Sequence, residues 1–392
     1  MRPGLRRHTP GVMLPAASTA LPAARASCND EGMHAPAWTN TTLTRALGIE
    51  VPIVLGAFGG ASSVALTAAV SNAGGLGSYG LYGYSAARIL DTARALRAAS
   101  DRPFALNLWL PHVDPGEGAP DPDGAAFRAA AERLRPLFDA VGAPVPDAPP
   151  AAFLPDFDAQ LDAVLAAAPA ALSLVYGVPD AALIERCRVR GIRVIATATT
   201  VEEGVAIAEA GVDAVVASGM EAGGHRVSFL RPAEHSLVGT MALVPQLVDA
   251  VDVPVIAAGG IGDARGVAAA LMLGASGAML GTAFLATRES GIAPAYRAVL
   301  HSARARHTEL TRAMSGRLAR GIPNRAFAQI TDPAPFPVQN WLTAQFRALA
   351  GERDDPELLS LWAGQAAGLA REQGAGELMD ELVAGVTALL GR

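Results

Sequence analysis

The strongest constraint on this chain is a rhythm. From Glu50 onward, short apolar runs alternate with Ala-rich stretches of helical period. The runs are Pro52–Gly56, Gly75–Gly80, Phe104–Leu110, Ala171–Gly177, Arg193–Thr199, Asp213–Gly219, Val253–Gly260 and Gly277–Leu285. They lack polar alternation, so they read as strands buried on both faces of a parallel sheet. Between them, Ser62–Ala73, Ser85–Ala99, Asp180–Arg190, Val201–Ala210, Met241–Ala250 and Asp263–Leu273 read as helices. Eight such units fit an α/β fold of the TIM (β/α)8 barrel type, which takes about 250 residues. A doubly wound open sheet is the alternative. A Pro- and Asp-rich stretch at 111–155, with one helix near Ala125–Ala140, reads as an insertion after the third strand. The final stretch, about Arg288–Arg392, reads mostly as helix with a loop at Gly321–Pro337, a C-terminal appendage to the barrel.

Composition removes several function classes. Hydrophobic residues make up 51% and charged residues 17%, enough apolar surface to offset the entropy of ordering, so a disordered chain is excluded. The net charge is −6 and no basic stretch persists beyond an N-terminal Arg cluster, which argues against a nucleic-acid partner. Cys28 and Cys187 are far apart, so neither a disulfide framework nor a cysteine zinc site is expected, and a reducing cytoplasm suits the pattern. His301 and His307 are a poor metal pair, and no metal is expected. Two uncharged runs are long enough to span a membrane, Gly266–Thr287 and Val51–Ala87. The first divides into helix and strand around Gly274 and Gly277, and the second is broken by Gly, Ser and Asn, so no membrane span is expected. In residues 1–32, prolines interrupt the apolar core that a signal peptide would need. This stretch reads as a disordered extension, or as translation begun upstream of Met33; an exported form stays open.

In such a barrel, function gathers at the C-terminal ends of the strands. After the sixth run comes Ser218-Gly219-Met220-Glu221-Ala222-Gly223-Gly224-His225. Consecutive glycines let a backbone approach a ligand closely, and His225 then stands at the mouth, where an imidazole can act as a base. The plain alternative is a histidine that only caps a loop. After the seventh run, Gly259-Gly260-Ile261-Gly262-Asp263 opens a helix, and the eighth run contains Gly281-Thr282. Loops seven and eight form the usual phosphate cradle of this fold, although their glycines can also be mere turns. Asn107, inside the third run, offers an amide donor and acceptor to the ring of such a ligand. Other motifs fail. Gly75 to Gly80 matches G-x-G-x-x-G but follows a helix and starts a strand, the reverse of the dinucleotide context. His112 and His235 can approach the barrel mouth, but nothing in their spacing requires it.

The segments GAFGG, NAGGLGSYG, the strand with Asn107, GMEAGGH, VPVIAAGGIGD, MLGTAFL, SGRLARGIPN and LWAGQAAGLA occur in that order. On these, the chain from about Asn40 to Gly391 resembles the nitronate monooxygenase family, once called 2-nitropropane dioxygenases. EAGGH followed by AAGGI and GT marks the flavin barrel. A related FMN-dependent enoyl-acyl-carrier-protein reductase shares those loops, and SGRLARGIPN and LWAGQAAGLA tilt the resemblance toward the monooxygenase branch.

The resemblance implies FMN without a metal, and oxidation of an alkyl nitronate by O2 to a carbonyl compound and nitrite. It makes His225 the base that takes the α-proton of a neutral nitroalkane. It places Ala57 and Phe58 in the backbone lining the flavin, Asn107 and Gly223 beside the ring, and Gly260, Gly281 and Thr282 in the phosphate cradle. Two positions depart from the family pattern. Ser218 stands where Gln is frequent, so a contact to the ring or ribityl chain is shortened or replaced by water. Val227 stands where Gly is frequent, and a β-branched side chain restricts the backbone there. The expected organisation is a disordered extension at 1–39, an FMN-binding barrel at 40–290, and a mainly helical region at 291–392 packing on the barrel. An NAD(P)H-dependent FMN reductase of enoyl or quinone type is the second reading, and a flavin- or phosphate-binding protein without turnover is the third. The Ala-rich tail can pack on its own barrel or on a neighbour, which leaves a homodimer open.

Overall fold

The computed structural model describes residues 36–113 and 124–391. Of the extension expected at 1–39, only 36–39 are described. There Ala37–Thr39 form a 3-10 turn, and the Trp38 indole N–H donates to Thr387 Oγ1 at 3.0 Å. Part of the insertion, 114–123, also lies outside the described residues.

Eleven strands occur among the described residues: β1 Ile53–Leu55, β2 Gly77–Gly80, β3 Phe104–Trp109, β4 Ala171–Val175, β5 Arg193–Ala198, β6 Ala214–Ser218, β7 Gly224–His225, β8 Val255–Ala258, β9 Gly277–Leu280, β10 Glu309–Thr311 and β11 Ala319–Gly321. Eight form one parallel sheet in the order β1-β9-β8-β6-β5-β4-β3-β2. The two ends meet: Leu55 N–H donates to the Leu76 carbonyl and Leu76 N–H to that of Ile53, both at 2.9 Å. The sheet therefore curls into a barrel, and the open doubly wound alternative falls away. Side chains from alternate positions, including Val54, Ala105, Ile195, Val216 and Ile256, fill the interior. Leu43 and Leu47, from the helix Thr42–Leu47, join them, and Leu43 lies against Gly277 at the start of β9. The N-terminal end of the barrel is thus plugged.

Local chemistry explains the helix starts. Ser63, Ser85, Asp156, Asp180, Thr200 and Asp263 each accept a backbone N–H from the first turn of the helix that follows. The insertion holds two helices rather than one, Ala125–Arg133 and Arg135–Ala140, with Pro136 in the first turn of the second, where its missing N–H is tolerated. A helix at Phe157–Ala167 precedes β4. The eighth strand is shorter than its apolar run, because Gly281 ends it and starts a four-residue helix, Thr282–Leu285. The expected loop at Gly321–Pro337 contains a helix, Arg325–Gln329, capped by Asn324. The uncharged run Gly266–Thr287 is spread over helix, strand and helix, and no described helix is long and apolar enough to cross a membrane.

Two apolar clusters lie outside the barrel lumen. One joins strands to the surrounding helices. The other joins the insertion helices to the region from Leu285 to Ala367. The final helix, Ala375–Leu390, belongs to the first cluster through Ala375, Leu378, Met379, Leu382 and Val386, and it packs against the helices Ala264–Met272 and Val64–Asn72. It therefore closes the ring of helices around the strands. The residues between Leu285 and Ala375 are an excursion between the eighth strand and its helix.

This packing sets an expectation. Leu382→Ala removes a fully buried side chain and should lower unfolding stability by about 2–5 kcal/mol. Leu389→Ala, on the exposed side of the same helix, should change it by less than about 0.5 kcal/mol. Urea unfolding of the two variants measures the contrast, and equal effects would contradict a helix built into the barrel.

Candidate active site

The cradle is built by backbone. Gly259 and Gly260 have φ of +103° and +71°, conformations that L side chains rarely adopt. A Cβ on Gly259 would come within 3.0 Å of the Gly219 carbonyl and 3.1 Å of Ala222 N, so the loops after β6 and β8 touch backbone to backbone. A Cβ on Gly223 would lie 2.5 Å from Gly364 N and 2.6 Å from the Ala363 carbonyl carbon. Gly364 N–H in turn donates to Thr282 Oγ1 at 2.9 Å. Gly223 and Thr282 are therefore drawn together by a segment far along the chain. The Phe58 ring lies against Gly281, and Gly56 N–H donates to the Leu280 carbonyl at 2.9 Å, which brings in the loop carrying Ala57 and Phe58.

The residues present fit a phosphate-bearing group. Gly281 begins its short helix without any side-chain cap, leaving backbone N–H groups for a ligand. Thr282 accepts from Gly364 and keeps its own hydroxyl proton to donate. The neighbouring helix is different: Asp263 already caps it, accepting from Arg265 N and Gly266 N. A cavity of about 570 Å3 opens at Gly260, with Arg306 and Gln365 on its wall. Glu221 also lines it, with its carboxylate engaged by the N–H and hydroxyl of Thr240 at 2.8 to 3.0 Å.

Asn107 is buried in β3, and its amide nitrogen donates to Ser173 Oγ and to the Ser173 carbonyl, at 3.2 and 3.1 Å. Only its carbonyl oxygen remains for a ligand. The Ser218 carbonyl accepts from Arg226 at 2.5 Å. Val227 is buried and is not among the residues with positive φ, so the β-branched residue sits there without backbone strain.

His225 lies in β7, which pairs antiparallel with β11 through Ala319. Its Nε2 is 2.9 Å from Ser315 Oγ. Its ring centroid is 5.1 Å from that of Trp109, at the end of β3, and 5.5 Å from that of Trp362. Trp109 also packs against Tyr82, at 4.5 Å, and Tyr176, at 5.0 Å. Tyr176 has φ of +71°, an outlier for a bulky residue, held by stacking against His112 and by the Arg317 guanidinium 4.3 Å from its ring centre. His112 thus does reach the barrel mouth, whereas His235 sits in the 3-10 turn Ala233–His235.

Sequence reasoning missed four contributors. Arg226 is buried and donates to the carbonyls of Thr199, Ser218 and Ser236; burial lowers its pKa to about 10, against the pull of Glu203. Ser315, Trp362 and Gly364 come from SGRLARGIPN and LWAGQAAGLA, segments read only as family marks. No spacing rule points from them to His225, because the fold alone brings them there. Among the described residues, no cluster of His, Cys, Asp or Glu has the makings of a metal site.

Fold and site together define a (β/α)8 barrel with closely packed glycine loops and a histidine among aromatic rings at its mouth. The model of the nitronate monooxygenase family matches residues 40–385. A Staphylococcus aureus (strain JH9) protein described as a probable nitronate monooxygenase is 35% identical over 351 residues, covering 88% of this chain and 97% of that one. The crystal structure of nitroalkane oxidase from Streptomyces ansochromogenes is similar with a TM-score of 0.79 at 36% identity, over 89% of this chain and all of that one. FabK from Thermotoga maritima is similar with a TM-score of 0.67 at 28% identity, over 90% and 97% of the respective chains. The chain belongs to the nitronate monooxygenase family, and with it to the flavin-dependent oxidoreductases.

The backbone contact at Gly223 gives a test. Gly223→Ala forces the segment at Ala363–Gly364 to move, and should lower the flavin content of the purified protein several-fold while the far-ultraviolet circular dichroism stays unchanged. Full flavin content in that variant would separate Gly223 from the cradle.

Proposed function

We propose that this protein is an FMN-dependent nitronate monooxygenase. It oxidises alkyl nitronates with O2 to a carbonyl compound and nitrite, and it accepts neutral nitroalkanes through proton abstraction by His225. The observation that carries this reading is the placement of His225, fixed by Ser315 and walled by Trp109 and Trp362 beside the glycine cradle.

Ser315 is fully buried, and its hydroxyl donates to the Arg317 carbonyl at 3.1 Å. Ser315 Oγ, at 2.9 Å from His225 Nε2, holds the imidazole in place. A neutral nitroalkane must lose its α-proton before oxidation, and an imidazole fixed at the barrel mouth suits that step. A nitronate has already lost this proton, so His225 matters less for it. Phe58, Asn107, Gly223, Gly260, Gly281 and Thr282 would hold FMN, with Ala57 contributing backbone and Ser218 its main chain. FMN, when bound, supplies the electron acceptor for the nitronate carbanion.

The reading includes a cytoplasmic location, supported by Cys187, a free thiol that burial pushes up to about 11.

Under anaerobic conditions, nitronate should bleach the flavin rapidly and NADPH should not; the reverse would favour the reductase reading. His225→Ala should lower kcat/KM for neutral nitroethane by about 10²–10⁴-fold. The loss with ethylnitronate should be far smaller. Steady-state nitrite release measures both, and equal losses would remove the proton-abstraction role.

A further inference from the structure

The aromatic box contains one hydroxyl whose hydrogen bonds are one-sided. Tyr82 follows β2 by two residues, so it lies at the same barrel end as His225 and the Ala57–Phe58 loop. Its ring packs against Trp109, the residue that also contacts His225, and a Cβ on Gly59 would be 3.3 Å from Tyr82 Cβ. The side chain therefore stands between the flavin-lining loop and the wall of the substrate pocket.

The orientation of the Tyr82 hydroxyl is dictated from behind. Arg347 donates to Asn340 Oδ1 and to the Asn340 carbonyl, both at 3.0 Å, and to Ser360 Oγ at 2.8 Å. A guanidinium has only donors, so the Asn340 amide must present its oxygen to Arg347. Its nitrogen then faces Tyr82 and donates to the phenolic oxygen at 2.8 Å. Tyr82 is an acceptor in that bond, and its own proton has no acceptor among the described residues. Burial raises the Tyr82 pKa, against the opposing pull of Asn340, Arg347 and Arg317, so the phenol stays protonated. A neutral donor backed by a half-buried cation suits an anion whose charge is spread over two oxygens, because it stabilises that charge without pairing it.

We propose that Tyr82, oriented by Asn340 and Arg347, donates a hydrogen bond to the nitronate oxygens and so selects the anionic substrate. This rests on the nitronate reading of the site.

The test compares flavin-loaded wild type, Tyr82→Phe, Asn340→Ala and the double variant. Readouts are KM and kcat for ethylnitronate and nitroethane, competitive inhibition by nitrite, flavin content and melting temperature. Tyr82→Phe should raise KM for ethylnitronate and Ki for nitrite by roughly ten- to a hundredfold, the worth of a hydrogen bond to a charged group. Its kcat should stay within about twofold and its flavin content unchanged. Asn340→Ala should raise the same constants less, and the double variant no more than Tyr82→Phe alone, as expected for residues acting through one hydroxyl. Unchanged KM and Ki in Tyr82→Phe, with an active wild type, overturns this proposal alone. So does a loss confined to flavin content or melting temperature. A wild type that releases no nitrite from ethylnitronate overturns both this proposal and the nitronate reading.

Discussion

The arrangement at the barrel mouth depends on one buried cation. The Arg226 guanidinium reaches the carbonyls of Thr199 beyond β5, Ser218 at the end of β6, and Ser236 in the following loop. Burying a guanidinium is costly unless its donors are satisfied, and here three carbonyl oxygens do so. Because Arg226 adjoins His225 in sequence, the same bonds that satisfy the charge clamp the histidine strand to the barrel rim. Glu203, itself buried, lies on the other side of this arrangement and accepts from Thr199, Phe229 and Leu230 at 2.6 to 3.2 Å. An ordered polar layer therefore underlies the glycine loop, and it explains how a chain with so many consecutive glycines holds one shape there.

Above that layer the site is assembled from segments that are remote in sequence. His225 receives Ser315 from one side, Trp109 from the barrel and Trp362 from the far end of the excursion. The short sheet β7-β11-β10 holds these pieces in register, and Arg320 of β11 adds a bond to the Met220 carbonyl at 2.9 Å. The barrel provides the glycine loops and Trp109, and the excursion provides Ser315 and Trp362.

The barrel was legible because its strands are buried on both faces. VPVIAAGG and ALSLVYG carry that burial in consecutive apolar residues, and helix starts carry it in Ser, Thr and Asp caps. The glycine loops were legible because Gly259 and Gly260 need a backbone that other residues resist. The small sheet was not, since two- and three-residue strands have no period to read. The break between the insertion helices had a signal in Pro136, and the end of β9 had one in Gly281. Tyr82, Ser315 and Trp362 carried no such signal. Their meaning comes from where the fold puts them, across separations of up to 258 residues for the pair Tyr82 and Asn340.

The final helix, Ala375–Leu390, completes the helical ring only after the chain has made its long excursion. Both ends of that excursion are anchored in the barrel, so the pocket walls form a closed loop rather than a hinged flap. The entropy of closing so long a loop must be met before the contacts of Leu378, Met379 and Leu382 reward it. A helix whose contacts close so long a loop is expected to dock late in folding, together with the segments that surround His225. Without that helix, the groove between the helices Val64–Asn72 and Ala264–Met272 would expose apolar surface, the kind that favours aggregation.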